Sequence, residues 1–146
     1  MVPAGAAAYI PWWILTSNGG TPHPIVWPAV ALIAAGVALY FWCLWNFATR
    51  GRGTPGPWDP PRHFVASGPY RFVRNPMYIA VLLVIAGEAL LFVSVQIAVY
   101  FIVFALFVHA FVLVYEEPTL HDMFGDEYDA YRRTVHRWIP RAPAAG

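Results

Sequence analysis

The order of apolar and polar residues gives the chain three long apolar stretches separated by polar segments. Residues 25–48 contain no charged side chain, and residues 77–94 contain one, Glu88. Residues 97–115 contain no acidic side chain, no lysine and no arginine, and one histidine, His109. An α-helix rises about 1.5 Å per residue, so the stretches would extend roughly 27 to 36 Å, against a bilayer hydrocarbon core of about 30 Å. The pattern therefore predicts three transmembrane helices, the last two joined as a hairpin.

The composition agrees with a membrane protein. Of the 146 residues, 59% are hydrophobic and 12% are charged, whereas soluble domains carry about 25% charged residues. This excludes an ordinary soluble domain and a disordered chain, and the length suits a single domain over 1–146. The one cysteine, Cys43, excludes an internal disulfide and a cysteine-based metal cluster, and no metal site is predicted.

The basic residues indicate the orientation of the chain. All nine are arginines, and they lie in two segments, 50–74 and 132–141. A hairpin that turns at residues 94–96 returns the chain to the side it left, so both segments share one face, which the positive-inside rule makes cytoplasmic. We therefore expect a cytoplasmic loop over 49–76 and a cytoplasmic C-terminal segment over 116–146.

The N-terminal residues are apolar but form only a short stretch. Residues 4–15 contain Pro11, and their length favours an interfacial or half-inserted segment over a short fourth transmembrane helix. Trp12 and Trp13 suit the membrane interface. No basic region precedes the stretch, which argues against a signal peptide, and residues 17–24 are predicted as an outer-side loop.

A helix is predicted to start at the cytoplasmic membrane surface. Asn75 is a good N-cap and Pro76 suits the first helical position, and Arg71 and Arg74 come just before them. The unpaired N–H groups and the partial positive charge of a helix N-terminus, with two arginines beside it, suit a carboxylate or phosphate ligand. The same arginines would equally suit lipid headgroups alone, and the spacing leaves both interpretations open.

Two glutamates follow the third apolar stretch, where the helix dipole disfavours negative charge. Glu116 and Glu117 are expected either to pair with the arginines or contact water, or to hold a polar ligand such as the hydroxyls of a ribose. His109 lies seven residues before Glu116, which places both near one face of a regular α-helix. His109 and Glu88 are ionisable groups inside predicted spans and are therefore functional candidates. A protonated carboxyl, or a contact with a neighbouring helix or a second subunit, would also explain Glu88.

Residues 119–139 are charged but patterned. Aromatic and aliphatic residues recur every three to four positions, at Leu120, Phe124, Tyr128, Tyr131, Val135 and Trp138. This pattern predicts an amphipathic helical segment that lies on the membrane and folds back over the cytoplasmic loop. Gly125 is expected to break the segment, Asp126 to cap its second part and Pro140 to end it.

Two blocks of sequence together resemble one known family. SGPYRFVRNPMYIA at 67–80 and EEPTLHDMFGDEYDAYRRTVHRWIP at 116–140 resemble the signatures of the isoprenylcysteine carboxyl methyltransferases and related phospholipid methyltransferases, in the right order around a membrane hairpin. The resemblance implies an all-α integral membrane enzyme whose C-terminal amphipathic segment covers a cofactor pocket at the cytoplasmic face. The implied cofactor is S-adenosylmethionine, with S-adenosylhomocysteine as its product.

The resemblance also implies which residues contact the cofactor. They would be His63, Tyr70, Arg74, Asn75, Pro76, Tyr78, Glu116 and Glu117. The carboxyl methyltransferases typically have histidine at the position of Asn75, and often a proline where this chain has His136. The acceptor therefore stays open among prenylcysteine, a phospholipid amine, a fatty acid and a small isoprenoid.

Methyl transfer from a sulfonium is an in-line displacement, which requires alignment and the exclusion of water more than an enzyme nucleophile. The arginines that would orient a carboxylate acceptor are Arg71, Arg74, Arg133 and Arg137. An amine acceptor must lose a proton, and the groups that would take it are His63, His121 and Glu117. We expect the catalytic contribution to come from Arg74, Arg133 and Glu117.

The expected partners follow from the expected membrane position. The cofactor would enter from the cytoplasm, and a lipid, prenylated or other apolar acceptor would enter from the bilayer. We expect a multi-pass protein of a bacterial or archaeal-type inner membrane, with no nucleic-acid partner. Three spans bury few helix faces, so association into a homo-oligomer is an open alternative. Two other interpretations are an NADPH-dependent membrane reductase, although sterol reductases are much longer, and a non-enzymatic lipid-binding membrane module.

Overall fold

The computed structural model describes residues 2–18, 26–51 and 67–141, and every regular element in these ranges is helical. The helices are α1 (Val2–Asn18), α2 (Val26–Asn46), α3 (Pro76–Leu91), α4 (Val95–Phe111), α5 (Glu117–Phe124) and α6 (Asp126–Thr134). The shorter elements are the π-helical turns Phe47–Gly51 and Val112–Glu116 and the 3-10 turn Gly68–Arg71. The prediction of an all-α protein is confirmed for this part of the chain.

Two continuous helical stretches are long and apolar enough to cross a membrane. They are Val26–Thr49 and Val95–Phe124, and they overlap the first and third predicted spans. Large apolar side chains on them are exposed, among them Trp27 at 83% and Leu106 at 65%. The core helix of a soluble protein would bury such side chains, whereas contact with lipid accounts for their exposure.

The second predicted span forms a shorter helix. α3 begins at Pro76, as predicted, and ends at Leu91 instead of residue 94, so its 16 residues extend about 24 Å. The turn that follows lies at 92–94 and not at 94–96, because the Ser94 hydroxyl oxygen accepts a hydrogen bond from the Ile97 N–H (3.3 Å) at the start of α4. A transmembrane course for α3 remains a prediction.

The N-terminal segment is one 17-residue helix that continues through Pro11, which is longer than the apolar stretch 4–15. Ser17 and Asn18 belong to this helix, so the predicted outer-side loop begins after them. Its remaining residues lie outside the described part of the chain. An interfacial or half-inserted position for α1 stays a prediction.

The chain divides into two compact units. The first comprises Met1–Tyr40 and Tyr78–Val108, and the second comprises Phe41–Met77 and His109–Gly146. In the first unit the buried core consists of Val81, Ile85 and Ile97, with partly buried aromatic and aliphatic side chains packed around them.

Two glycines of the first unit let α2 and α3 approach closely. A Cβ atom on Gly36 would lie 2.6 Å from the carbonyl oxygen of Ala80, and one on Gly87 would lie 2.8 Å from the carbonyl oxygen of Ala29. Each glycine therefore faces the backbone of the other helix. Small residues at a helix crossing are typical of membrane helix pairs, in which backbones pack closely.

The C-terminal segment is helical over a shorter range than the sequence indicates. The break at Gly125 is confirmed, with φ of +51°, a backbone conformation that favours glycine. Asp126 does not cap α6, since Gly125 occupies the cap position and no side chain caps this end. α6 ends at Thr134 and not at Pro140, because Val135 adopts an extended conformation (φ −115°, ψ 127°). Residues 135–141, called the C-terminal strap below, are not helical.

Candidate functional site

A carboxylate at the start of α5 is held by two arginines of the second unit. Glu117 Oε1 accepts hydrogen bonds from Arg74 Nη1 (3.0 Å) and Arg137 Nε (2.6 Å), and its Oε2 accepts one from Arg137 Nη2 (3.0 Å). Arg137 thus binds the carboxylate in the two-pronged geometry of a strong charge-assisted pair. We call these three residues the Glu117 clasp. Of the two sequence interpretations of Glu117, the structure shows pairing with arginines.

The Glu117 clasp is largely buried. The side chains of Arg74 and Glu117 are 12% and 13% exposed, and that of Arg137 is 28% exposed. The hydrogen bond with Glu117 raises the pKa of Arg137, and burial opposes this rise without cancelling it. Arg74 Nε is buried and has no hydrogen-bond partner in the described ranges. The clasp therefore has a buried donor whose hydrogen bond is not made within this part of the protein.

The C-terminal strap lies along the residues that precede α3. The Arg74 N–H donates to the His136 carbonyl (2.9 Å), and the Arg141 N–H donates to the Phe72 carbonyl (2.9 Å). Asn75 Nδ2 donates to the Arg137 carbonyl (3.2 Å). These bonds use the backbone of the strap, which is why residues 135–141 do not continue α6. They also bring Arg137 to Glu117.

Two half-buried tyrosines connect the 3-10 turn with α6. The Tyr131 hydroxyl donates a 2.6 Å hydrogen bond to the Tyr70 carbonyl, and the Tyr70 ring packs edge-on against Phe47, with ring centres 5.3 Å apart. Burial raises the pKa of Tyr70 well above its usual value. Burial also raises the pKa of Tyr131. Both phenols therefore keep their protons at neutral pH.

His109 has a partner in the C-terminal strap that the sequence did not indicate. Trp138 Nε1 donates a 3.0 Å hydrogen bond to His109 Nδ1, with ring centres 6.0 Å apart. This bond requires an unprotonated Nδ1 on His109. The expectation that His109 and Glu116 share a helix face assumed regular α-helical spacing. The π-helical turn Val112–Glu116 interrupts that spacing, because it has more residues per turn than an α-helix.

Trp138→Phe is expected to lower the stability of the second unit by about 1 kcal/mol, because it keeps most of the ring but leaves His109 Nδ1 without its donor. Thermal unfolding in detergent would measure the loss. Trp45→Phe, at a site that is 71% exposed, is the matched control and should unfold like the unaltered protein. Equal melting temperatures for both variants would contradict a contribution from the His109 bond.

The structure brings several of the sequence-predicted residues together. Tyr70, Arg74, Asn75 and Glu117 lie in the network described above, and Pro76 is buried at the first position of α3. Glu116, at the end of the π-helical turn, is half-buried.

Of the other predicted residues, some are exposed and some belong to the first unit. Arg71 and Arg133 are exposed, and His121 pairs with Asp129 at 3.4 Å on an exposed surface. Tyr78 belongs to the first unit, and so does Glu88, whose Oε2 is buried without a hydrogen-bond partner in the described ranges. His63 lies outside the described residues.

Comparison with known proteins identifies the family. A family described as phospholipid methyltransferase matches residues 25–127, which is more than two thirds of the chain. The matched range includes α2 to α5, the whole first signature block and the start of the second. No curated protein and no solved structure matches the chain. The chain belongs to the phospholipid methyltransferase family, a family of integral membrane methyltransferases that includes the isoprenylcysteine carboxyl methyltransferases.

Proposed function

We propose that this protein transfers a methyl group from S-adenosylmethionine to a membrane-embedded or apolar acceptor. The observation that carries the proposal is the Glu117 clasp. Arg74 and Glu117 are 43 residues apart in sequence, in the two blocks that resemble the family signatures, and their side chains meet in an ion pair of 3.0 Å. The two signature blocks thus contribute to one buried polar cluster, as a shared site requires.

The second unit also fits the cofactor by the chemistry of its side chains. Arg74 has a buried Nε without a partner in the described ranges, and a guanidinium suits the carboxylate of the methionine moiety. Glu116, next to the clasp, would accept hydrogen bonds from ribose hydroxyls. S-adenosylmethionine, when bound, supplies an activated methyl group on its sulfonium. The contribution of this chain would be to hold and orient the cofactor and to exclude water.

The geometry also bears on the acceptor. A carboxylate held by two arginines is a weak base, because nearby positive charge favours its ionised form. Glu117 is therefore suited to positioning Arg74 and Arg137 more than to deprotonating an amine. An acceptor that is already an anion, oriented by Arg74 or by the exposed Arg133, needs no base. This supports a carboxylate acceptor over a phospholipid amine.

S-adenosylhomocysteine is expected to stabilise the purified protein in detergent. At about 100 times its dissociation constant a ligand adds about 2.7 kcal/mol, which corresponds to roughly 5 to 10 °C in melting temperature for a chain of this size. Arg74→Lys should weaken its binding about tenfold, because lysine keeps the charge and loses the fork of donors. Arg132→Lys, at an exposed pair with Asp129 of 3.6 Å, is the matched control.

Each outcome of this experiment has a distinct meaning. Stabilisation by NADPH and not by S-adenosylhomocysteine would favour a reductase, and the absence of any shift would contradict the proposed cofactor. Equal binding by the Arg74→Lys and Arg132→Lys variants would remove Arg74 from the site. Incubation with methyl-labelled S-adenosylmethionine and a membrane lipid extract, followed by mass spectrometry, would identify the acceptor as an ester, a methylated amine or a thioether.

The same proposal includes the position in the membrane. The arginine segments at both ends of the predicted hairpin favour a cytoplasmic face for the site. The cofactor would then enter from the cytoplasm and the acceptor from the bilayer. A label-accessibility experiment with a cysteine at the exposed Arg133 position, in inner-membrane vesicles of known orientation, would test the assignment.

A further inference from the structure

Asn46, the last residue of α2, is a buried polar residue outside the two signature blocks 67–80 and 116–140. Its side chain is almost fully enclosed, with the residue 4% exposed. Asn46 Nδ2 donates to the Ser67 carbonyl (3.0 Å), and Asn46 Oδ1 accepts from the Ser67 hydroxyl (3.1 Å). Both halves of the amide are therefore used by one residue, 21 positions along the chain.

The backbone of the residue after Ser67 packs directly against the Asn46 amide. Gly68 has φ of +58°, and a Cβ atom at this position would lie 2.7 Å from Asn46 Oδ1 and 2.9 Å from its Cγ. A side chain at residue 68 would therefore displace the amide as well as strain the backbone. Glycine is required here because the Asn46 side chain lies directly against the chain.

The residues that Asn46 holds lead directly to Tyr70. The Ser67 carbonyl that accepts from Asn46 also accepts from the Tyr70 N–H (3.2 Å) in the 3-10 turn. Phe47, which follows Asn46, packs against the Tyr70 ring. Asn46 and Phe47 thus hold this turn from two sides, through Ser67 before it and through the Tyr70 ring within it.

We infer that Asn46 is a positioning residue for the cofactor site, which fixes Tyr70 by holding the Ser67–Gly68 backbone with one donor and one acceptor. This inference rests on the proposed function and on Tyr70 as a contact of the cofactor, which the resemblance to the family implies. It assigns Asn46 a role that neither ionised aspartate nor serine could fill. Ionised aspartate has no donor and would place a negative charge against the Ser67 carbonyl, whereas serine is too short to reach both groups.

The test is the affinity for S-adenosylhomocysteine, together with KM and kcat for S-adenosylmethionine, in the full chain in detergent. Asn46→Ala removes two hydrogen bonds and is expected to raise Kd and KM about tenfold or more, because each bond corresponds to roughly fivefold. Because Asn46 would act on binding, kcat at saturating cofactor should change much less. Thr49→Ala is the control, since among the described residues its hydroxyl bonds within the same helix end, to the Trp45 carbonyl (2.8 Å) and the Asn46 carbonyl (3.5 Å).

Two further variants keep the inference testable if Asn46→Ala fails to fold. Ser67→Ala removes one of the two bonds and should raise KM about fivefold. Asn46→Asp should bind the cofactor weakly at neutral pH and regain affinity as the pH falls, because a protonated carboxyl can again donate to the Ser67 carbonyl. The unaltered protein should not gain affinity over the same pH range.

The failure of this inference and that of the proposed function are distinguishable. If the unaltered protein binds S-adenosylhomocysteine and both the Asn46→Ala and Ser67→Ala variants bind it equally well, Asn46 is not a positioning residue, and the proposed function stands. A fall in kcat without a change in KM would also overturn the inference. If the unaltered protein does not bind S-adenosylhomocysteine, the proposed function fails and this inference fails with it.

Discussion

Glu117→Ala is expected to destabilise the second unit by about 3 kcal/mol, because it leaves the guanidinium of Arg74, and in part that of Arg137, buried without a counter-charge. Removing one partner of a buried ion pair costs about 3 to 5 kcal/mol, and the partial exposure of Arg137 places this case at the lower end. The melting temperature in detergent should fall by roughly 6 to 12 °C. Methyl transfer should also be lost, since Arg74 would no longer be held in place.

The control for this prediction is Glu127→Ala. Glu127 is an exposed carboxylate in the first turn of α6, so its removal should change the melting temperature little. Glu117→Gln separates charge from shape, because the amide keeps the size of the side chain and can still accept one hydrogen bond. If the Glu117→Ala and Glu127→Ala variants melt at the same temperature, the ion pairs of the Glu117 clasp do not contribute to the stability of the fold.

Gly36→Ala and Gly87→Ala are expected to destabilise the first unit by about 1 to 3 kcal/mol each, because each added methyl group would overlap the backbone of the facing helix. The overlaps are severe, at 2.6 Å from the Ala80 carbonyl oxygen and 2.8 Å from that of Ala29. The cost should exceed the gain of about 0.5 to 1 kcal/mol that alanine normally brings to a helix. Thermal unfolding in detergent or in lipid nanodiscs would measure both effects.

Gly5→Ala is the matched control for the glycine pair. It also lies inside a helix, α1, but a Cβ atom there would meet no atom of the described residues within 4 Å. Only the helix-propensity gain should remain, so this variant should be as stable as the unaltered protein or slightly more stable. If Gly36→Ala and Gly87→Ala behave like Gly5→Ala, α2 and α3 do not pack as closely as the structure indicates.

The sequence pattern was sufficient for the secondary structure near the apolar stretches. Long uncharged runs can only satisfy their backbone groups in lipid by forming helices, so the existence of α2 and α4 follows from composition and length. Asn75–Pro76 marked the start of α3 because proline has no N–H to lose at a first helical position. Gly125 marked the break between α5 and α6. These are local signals, which depend on residues close together in the sequence.

The ends of the helices were less predictable. The sequence predicts that α6 ends at Pro140, but the chain leaves the helix at Val135. The reason is that the backbone of the C-terminal strap forms hydrogen bonds with residues 72–75. The turn between α3 and α4 was shifted by the cap that Ser94 provides. In each case a competing hydrogen bond, invisible in the apolar pattern, decided where the helix ended.

The sequence by itself determined that this is a helical protein rich in exposed apolar surface, and its two signature blocks were sufficient to indicate the family. Only the tertiary structure decided which arginines meet Glu117 and that Asn46 holds the Ser67–Gly68 backbone. The physical reason is the distance along the sequence over which each signal acts. Hydrophobicity, caps and glycine breaks act over a few residues, whereas the nine arginines are chemically equivalent, and the path of the folded chain selects Arg74 and Arg137 among them.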